Sequence, residues 1–322
     1  MAVQPGSVLN GRYQVMRVLG EGGMARVYEA QDLSSARRCA IKEMEDSFQD
    51  EELRACAITQ FRGEITLLLG LSHPNIPRVT DYFSHQASYF MVMDFIEGKD
   101  LDKLLKERGA PFPEKTIMQW GIELCRVLFY LHIQKPPVIF RDLKPSNIIL
   151  SARGTLVLVD FGIARIFKAH KRGDTFHMGT EGYAAPEQYL ENRQSDGRTD
   201  IYALGATLYH LATGQSPLFQ FPHLRDLSPD IAAILRKATD LDPDDRFSSA
   251  KEMRIALEKA CGISPDRRRP AIAMAAPSST STDKTSYMIE RSSPKEAVKY
   301  CDKCGAQIRA KSRFCNRCGA RA

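Results

Sequence analysis

The sequence predicts an α+β fold followed by a small cysteine-rich unit near the C-terminal end. Two aliphatic and β-branched runs, 148–150 and 155–159, flank turn-like residues 151–154 and indicate a β-hairpin. Apolar residues at helical spacing between Phe61 and Leu68 indicate a helix. The chain has 322 residues and is 43% hydrophobic, which suits a main domain of about 250 residues with a buried core.

Polar side chains gather at the two ends of the predicted hairpin. Asp142, Lys144 and Asn147 precede the first strand, and Asp160 follows the second. This set suits phosphoryl transfer, in which a protein mainly positions groups and neutralises charge. Asp160 and Asn147 can each hold Mg²⁺, Asp142 can accept the proton of an attacking hydroxyl, and Lys144 can balance charge at the transferred group. The alternative is an ordinary hairpin flanked by solvated residues, which the combined spacing disfavours.

Further motifs follow one another in a definite order. Residues 19–28 form a glycine-rich stretch with Gly20, Gly22 and Gly23, where backbone N–H groups can approach nucleotide phosphates. The later motifs are Cys39–Lys42, His73–Ile76, Asp160–Gly162 and Ala185–Glu187. In this order they resemble the eukaryotic-type (Hanks-type) serine/threonine protein kinases, most like those of bacteria, and the resemblance runs from about Tyr13 to Cys261.

The resemblance implies a bilobal protein kinase fold, with a β-rich N-terminal lobe and a helical C-terminal lobe, that binds ATP with Mg²⁺ or Mn²⁺. Lys42 would pair with Glu64 and lie against the α and β phosphates, although each alone reads as a surface charge. Adenine would bind the backbone near Asp94 and Ile96. The side chains implied around the ring are Val27, Ala40, Met93 and Ile149, for which core packing is a compatible alternative.

The same resemblance indicates the substrate class. Lys144-Pro145 and the stretch Gly179–Glu181 match the serine/threonine branch of the family. Thr180 would hydrogen-bond to Asp142 and Lys144. The implied activity is phosphorylation of Ser and Thr hydroxyls on proteins, including the chain itself. A pseudokinase scaffold is the alternative, and the complete catalytic set favours the enzyme.

Two implied contacts are structural. Glu187 would form a buried ion pair with Arg246, and Asp200 would anchor the backbone of the turn at Arg141 and Asp142. Both contacts support the fold, whereas catalysis depends on other residues.

Three features depart from the family pattern, and the first is Ala25, which takes the place of the third glycine of the glycine-rich loop. Phe140 stands where most members have histidine, and we expect it to stack on Phe161. The stretch 214–229 is short and contains three prolines where the family usually has a docking helix. That helix is therefore predicted to be reduced or missing.

Regulation by phosphorylation is also predicted. Thr175 is the only hydroxyl residue between Gly162 and Thr180, and basic residues cluster at 168–172. Arg141 and this cluster would bind a phosphate on Thr175. The alternative is an unmodified loop residue.

Residues 262–298 are predicted to be a flexible linker rich in Ser, Thr and Pro, between a kinase domain at 13–261 and a terminal unit at 299–321. The chain from 262 onward carries a net charge of +8, which leaves −2 on the rest. No apolar run reaches the ~18 residues that span a bilayer, and no signal peptide is recognised. We therefore expect a cytoplasmic protein whose input arrives inside the cell.

The terminal unit contains two near-identical knuckles with C-x₂-C spacing. Their cysteines, which would hold one Zn²⁺ in a zinc ribbon, are Cys301, Cys304, Cys315 and Cys318. A disulfide pair is the alternative, disfavoured in a reducing compartment. A protein partner is the first expectation for this ribbon, and its basic charge favours nucleic acid only weakly.

Overall fold

The computed structural model describes residues 3–21, 25–44, 51–85, 88–161, 180–189, 195–217 and 221–263, together with 299–300 and 307–308. The chain divides into two compact units, residues 1–268 and 269–322. The first unit contains both the strand-rich and the helical parts that the sequence predicts.

The N-terminal part of the first unit is a six-stranded antiparallel sheet with the order β1-β2-β3-β4-β6-β5. Its strands are β1 (Val8–Leu9), β2 (Tyr13–Glu21), β3 (Ala25–Asp32), β4 (Arg37–Met44), β5 (Val79–His85) and β6 (Ser88–Asp94). Tyr13, Tyr28 and Ile41 fill one side of the sheet. Helix α1 (Glu51–Leu69) turns Phe61, Ile65 and Leu68 into the core, as their spacing predicts.

The second half of this unit is mainly helical. A small sheet of β7 (Gly98–Asp100), β8 (Ile148–Ser151) and β9 (Leu156–Leu158) pairs Ile148 with Leu158, which confirms the predicted hairpin. The helices are α2 (Leu101–Arg108), α3 (Glu114–His132), α4 (Gly197–Thr213), α5 (Pro229–Ala238) and α6 (Ala250–Ala260). Helix α4 is buried on nearly all sides because α3, α5 and α6 pack around it.

Capping residues define where the helices in this half begin and end. The Asp196 carboxylate accepts a hydrogen bond from the backbone N–H of Arg198 at the start of α4. Gly214 ends the same helix with a φ of +70°, a conformation that suits glycine. These caps fix where α4 begins and ends, and hence where Asp200 lies.

One apolar core connects the strand-rich and helical halves. The rings of Phe140 and Phe161 meet edge to face, with centroids 5.0 Å apart. Leu68 and Val79 belong to the same buried cluster. The predicted contact between Phe140 and Phe161 is confirmed, but the rings meet edge to face and are not stacked.

The stretch after α4 is irregular, as its prolines predict. Its described residues, 214–217 and 221–228, contain one 3₁₀ turn, Pro222–Asp226, and no α-helix. Phe221 precedes this turn with a positive φ of 56° and is nevertheless buried. The helix that this position usually holds is therefore reduced to a single turn in the described residues.

In the second unit, β10 (Lys299–Tyr300) pairs antiparallel with β11 (Gln307–Ile308), on either side of the first cysteine knuckle. Of the linker predicted at 262–298, residues 264–298 lie outside the described residues, as do the four cysteines. Within the described ranges, none of the helices has the length and apolar character needed to cross a membrane.

Candidate active site

The β8–β9 hairpin brings the predicted polar residues together. A 3₁₀ turn, Pro145–Asn147, leads into β8. The Asn147 side-chain amide donates to Asp142, to its backbone oxygen at 2.9 Å and to Oδ2 at 2.8 Å. At the other end of the hairpin, the N–H of Val159 donates to the backbone oxygen of Asn147 at 2.9 Å. Asp160, the next residue, therefore lies beside Asn147.

Thr180 and Lys144 also hold the Asp142 carboxylate. The Thr180 hydroxyl donates to Oδ1 of Asp142 at 2.9 Å. The ammonium group of Lys144 donates to that hydroxyl at 2.8 Å and lies 3.2 Å from Oδ2 of Asp142. Asp142 is buried, with a relative exposure of 6%. Its carboxylate is thus oriented by three side chains from two segments of the chain, 144–147 and the loop at Thr180.

Lys42 links the two halves of the unit. Its Nζ lies 3.3 Å from Oε1 of Glu64 on α1 and 2.7 Å from Oδ1 of Asp160. Burial alone would lower the pKa of Lys42, but the Asp160 and Glu64 carboxylates outweigh it and raise that pKa. Lys42 therefore stays cationic within a buried site. The sequence implied the pairing with Glu64 but not the one with Asp160.

Asp200 anchors the turn before Asp142. Its side chain is fully buried and accepts hydrogen bonds from the N–H groups of Phe140 and Arg141, at 2.9 and 2.7 Å. Arg141 has a φ of 67°, which is uncommon for a side chain with a Cβ. Two hydrogen bonds to one buried carboxylate stabilise that conformation.

His132 also contacts Asp200, and the sequence did not predict this contact. Its Nε2 lies 2.8 Å from Oδ2 of Asp200. A single histidine at the end of a helix gives no pattern in the sequence. Only the packing of α3 against α4 places it beside the carboxylate.

The ion pair implied between Glu187 and Arg246 is present. The guanidinium donates to both carboxylate oxygens, at 2.8 and 2.9 Å, and both side chains are buried. Burial would raise the pKa of Glu187, but hydrogen bonds from Arg246 outweigh it and lower that pKa. Thr199 adds a further hydrogen bond to the same carboxylate.

The residues expected around adenine line neighbouring positions of the N-terminal sheet and the hairpin. Val27 pairs with Lys42, and Ala40 pairs with Met93. Ala40 is buried. The other side chains expected at this site are half-buried, and they are Val27, Met93, Ile96 and Ile149. Asp94 ends β6, and its N–H donates to the backbone oxygen of Arg78 at 3.0 Å. Gly20 lies in β2 opposite Val27.

Several predicted residues lie outside the described ranges. They are Gly22, Gly23, Thr175, Cys301, Cys304, Cys315 and Cys318. Their predicted roles stay predictions.

Comparison with known proteins accounts for this arrangement. A family model described as the protein kinase domain matches residues 13–276. The chain belongs to the protein kinase family. A second model, for a zinc-ribbon domain, matches residues 300–321. Membership implies, in general terms, a site for ATP and Mg²⁺ in the kinase domain.

Two of the similar proteins are bacterial serine/threonine kinases. PrkC of Bacillus subtilis is 31% identical over 79% of this chain and 41% of its own length. A probable kinase named PknB of Lactococcus lactis is 31% identical over 83% of this chain and 44% of its own length. The chain therefore spans less than half the length of these relatives.

Solved structures agree with the fold. The structure titled PpkA-294 apo form has a TM-score of 0.70 at 25% identity, covering 80% of this chain and 99% of that one. The PknI kinase domain of Mycobacterium tuberculosis has a TM-score of 0.63 at 27% identity, covering 81% of this chain and 100% of that one.

Proposed function

We propose that this chain is an active serine/threonine protein kinase that transfers the γ-phosphate of ATP to Ser and Thr hydroxyls of proteins, including its own. The observation that carries the proposal is the network around Asp142, whose carboxylate is oriented by Asn147, Thr180 and Lys144. A pseudokinase scaffold does not require a carboxylate held in this way. The buried pairing of Lys42 with Glu64 also supports the enzyme.

Asp142 is the proposed general base. It would accept the proton of the attacking hydroxyl, and its fixed orientation would place that hydroxyl in line with the phosphoryl group. Lys144 lies beside the same carboxylate and would balance negative charge at the transferred group. Thr180 would tie the loop that receives the substrate to the base.

Asn147 and Asp160 fit a magnesium site. Hard cations prefer carboxylate and amide oxygens, and these two residues lie side by side at the open end of the hairpin. The Asn147 amide nitrogen is turned toward Asp142, so its side-chain oxygen is the group offered to a cation. Bound Mg²⁺ supplies charge neutralisation on the nucleotide phosphates. Asp160 and Asn147 would hold it, and Lys42 would contact the α and β phosphates.

The adenine site would use the backbone at Asp94 and Ile96. The aliphatic side chains proposed around the ring are Val27, Ala40, Met93 and Ile149. Phosphates would be covered by the glycine-rich stretch, with Gly20, Gly22 and Gly23. Val27, Ala40 and Met93 belong to three different strands, β3, β4 and β6, so the pocket would depend on the sheet.

For the terminal unit we propose one structural Zn²⁺ on the four cysteines, with the ribbon acting in recruitment of a protein partner. Its short strand pair flanks the first cysteine knuckle, an arrangement compatible with such a site. The domain limits proposed are 13–261, 262–298 and 299–321, and the proposed location is cytoplasmic.

The experiment that tests the kinase proposal compares wild-type protein, Asp142→Asn and Asp230→Asn with labelled ATP, Mg²⁺ and a generic protein substrate. Loss of the base should lower the rate by about 10²–10⁴-fold. Asp230 is an exposed carboxylate in the first turn of α5 and serves as the matched control. A wild-type protein that binds Mg·ATP but transfers no phosphate would favour the scaffold. A wild-type rate in Asp142→Asn would refute the assignment of the base.

A further inference from the structure

The shortened stretch after α4 leaves a groove on the helical half of the first unit. Its volume is about 790 Å³, and its walls come from residues 182–189, the 3₁₀ turn, and the C-terminal end of α5. The floor is aromatic. Tyr202 and Phe221 are each 8% exposed, and their rings meet edge to face at 6.1 Å. The Arg246 guanidinium lies over the Tyr202 ring and stabilises the position of that ring in the floor.

The rim of the groove is apolar at one point. Leu241 is 67% exposed, the largest exposed fraction of any large hydrophobic side chain in the described residues. An exposed leucine beside an aromatic floor favours a partner that brings an apolar side chain.

The charge of the rim is positive. Arg225 has a side-chain exposure of 84%, and its one ion pair within the described ranges is with the neighbouring Asp226, at 3.9 Å. Asp226 itself is engaged by His223 at 2.8 Å. Arg236 is exposed and makes no ion pair with any carboxylate in the described part of the chain. The lining acid, Asp240, accepts a hydrogen bond from the N–H of Asp242.

The groove is continuous with the loop next to the candidate base. Gly182, Ala184 and Pro186 line it, and the N–H of Ala184 donates to the backbone oxygen of Thr180 at 3.0 Å. Thr180 in turn donates to Asp142. A peptide whose hydroxyl reaches Asp142 can therefore run along this loop into the groove.

We propose that this groove binds a flanking segment of the protein substrate in which a large apolar residue stands beside Asp or Glu. The apolar side chain would lie on Tyr202 and Phe221 against Leu241, and the acidic side chains would pair with Arg225 and Arg236. The inference rests on the proposed kinase function for its substrate but not for the binding itself. Binding and phosphorylation can therefore be measured separately.

The first test is a degenerate peptide library with one fixed Ser, phosphorylated by wild-type protein and by a double variant, Arg225→Glu with Arg236→Glu. Wild-type protein should select Asp or Glu together with Leu, Met or Phe on one side of the Ser. The double variant should lose the acidic preference and accept Lys or Arg. For the best acidic peptide, we expect KM to rise about three- to tenfold with kcat nearly unchanged, because rim charges act on binding. An acidic preference that persists in the double variant, or is absent from wild-type protein, would overturn the proposal.

The second test measures binding without phosphoryl transfer. Asp142→Asn protein is titrated, by fluorescence anisotropy, into a labelled peptide with an apolar-acidic segment and into the same peptide with Gln and Asn in place of its acids. The acidic peptide should bind more tightly than the amide peptide, and this difference should disappear when Arg225→Glu and Arg236→Glu are added. Leu241→Ser should weaken the binding of both peptides. Arg153→Glu, on the exposed turn between β8 and β9, is the matched control.

The two tests separate two kinds of failure. If wild-type protein phosphorylates nothing but binds the acidic peptide through Arg225 and Arg236, the proposed kinase function is wrong and the proposed groove binding still holds. Equal binding of the acidic and amide peptides defeats the groove. Binding of a single-stranded oligonucleotide that competes with the acidic peptide, with no gain from the apolar residue, would assign the surface to phosphate groups and overturn the proposal.

Discussion

The Thr180 hydroxyl donates a hydrogen bond of 2.9 Å to the Asp142 carboxylate, across 38 residues of sequence. The same hydroxyl accepts a hydrogen bond from Lys144. A single oxygen therefore joins the loop before Ala185-Pro186-Glu187 to the two charged groups of the candidate active site. Hydrogen bonds to charged groups contribute more than neutral ones, about 1.5–3 kcal/mol each.

Thr180→Ala should lower kcat, because the base and the substrate loop lose their shared contact. We expect a loss of about 10- to 100-fold, with the melting temperature nearly unchanged. Thr180→Ser keeps the hydroxyl and should recover most of the rate. Steady-state kinetics on a peptide substrate measures the difference. Equal rates for the Ala and Ser variants would show that the hydroxyl has no positioning role.

Glu187→Gln should destabilise the fold by about 3–5 kcal/mol, because it leaves the buried guanidinium of Arg246 without its carboxylate. Urea unfolding at neutral pH measures the change. Glu107→Gln, which alters an exposed ion pair, should change stability by less than about 1 kcal/mol.

The same pair gives a pH dependence. The pKa of Glu187 is lowered in the folded protein from an ordinary value of 4.5. Its contribution to stability is therefore complete above pH 4.5 and is lost as the pH falls through the lower folded pKa. The difference in unfolding free energy between wild-type protein and Glu187→Gln should therefore shrink as the pH falls below 4.5. A gap that stays constant with pH would contradict this origin.

Thr175 should carry phosphate in active protein, since Arg141 and the basic residues at 168–172 would bind it. Mass spectrometry of wild-type protein checks the site. Thr175→Ala should slow phosphorylation of an added substrate. Sites in the 278–282 cluster can also be modified, and their replacement by Ala should leave that rate unchanged. Full activity in unphosphorylated Thr175→Ala would remove the hypothesis.

The terminal ribbon should hold one zinc per chain and should not be needed for phosphoryl transfer. Four cysteine ligands complete a tetrahedral site and leave no position for a catalytic water. Metal analysis should give one zinc for wild-type protein and none for Cys301→Ser with Cys304→Ser. Protein purified without chelator that contains no zinc would contradict the site.

A protein ending at Ile263 separates the ribbon from catalysis. The N–H of Ile263 donates to the backbone oxygen of Glu258, so this end point keeps the last turn of α6 closed. We expect this shorter protein to keep the wild-type rate on a generic substrate. An inactive but folded truncated protein would show that residues after Ile263 take part in catalysis.

The sequence by itself determined the elements whose signals are local. The β-hairpin at 148–158 was readable because two aliphatic runs flank a turn, and its geometry brought Asn147 beside Asp160 without further information. The apolar spacing of α1 placed Glu64 on a helix. The prolines at 214–229 indicated the loss of a helix, since proline removes a backbone donor and fixes φ. The Lys42–Glu64 pair was available through family resemblance.

Tertiary structure alone decided the contacts that join distant segments. Lys42 and Asp160 are 118 residues apart, and His132 meets Asp200 only because α3 packs on α4. The groove with Arg225 and Arg236 is likewise a product of the space left beside α4 and α5. Short-range periodicity encodes which residues form a strand or helix, whereas pairing across the core depends on how whole elements pack. No spacing along the chain records that packing.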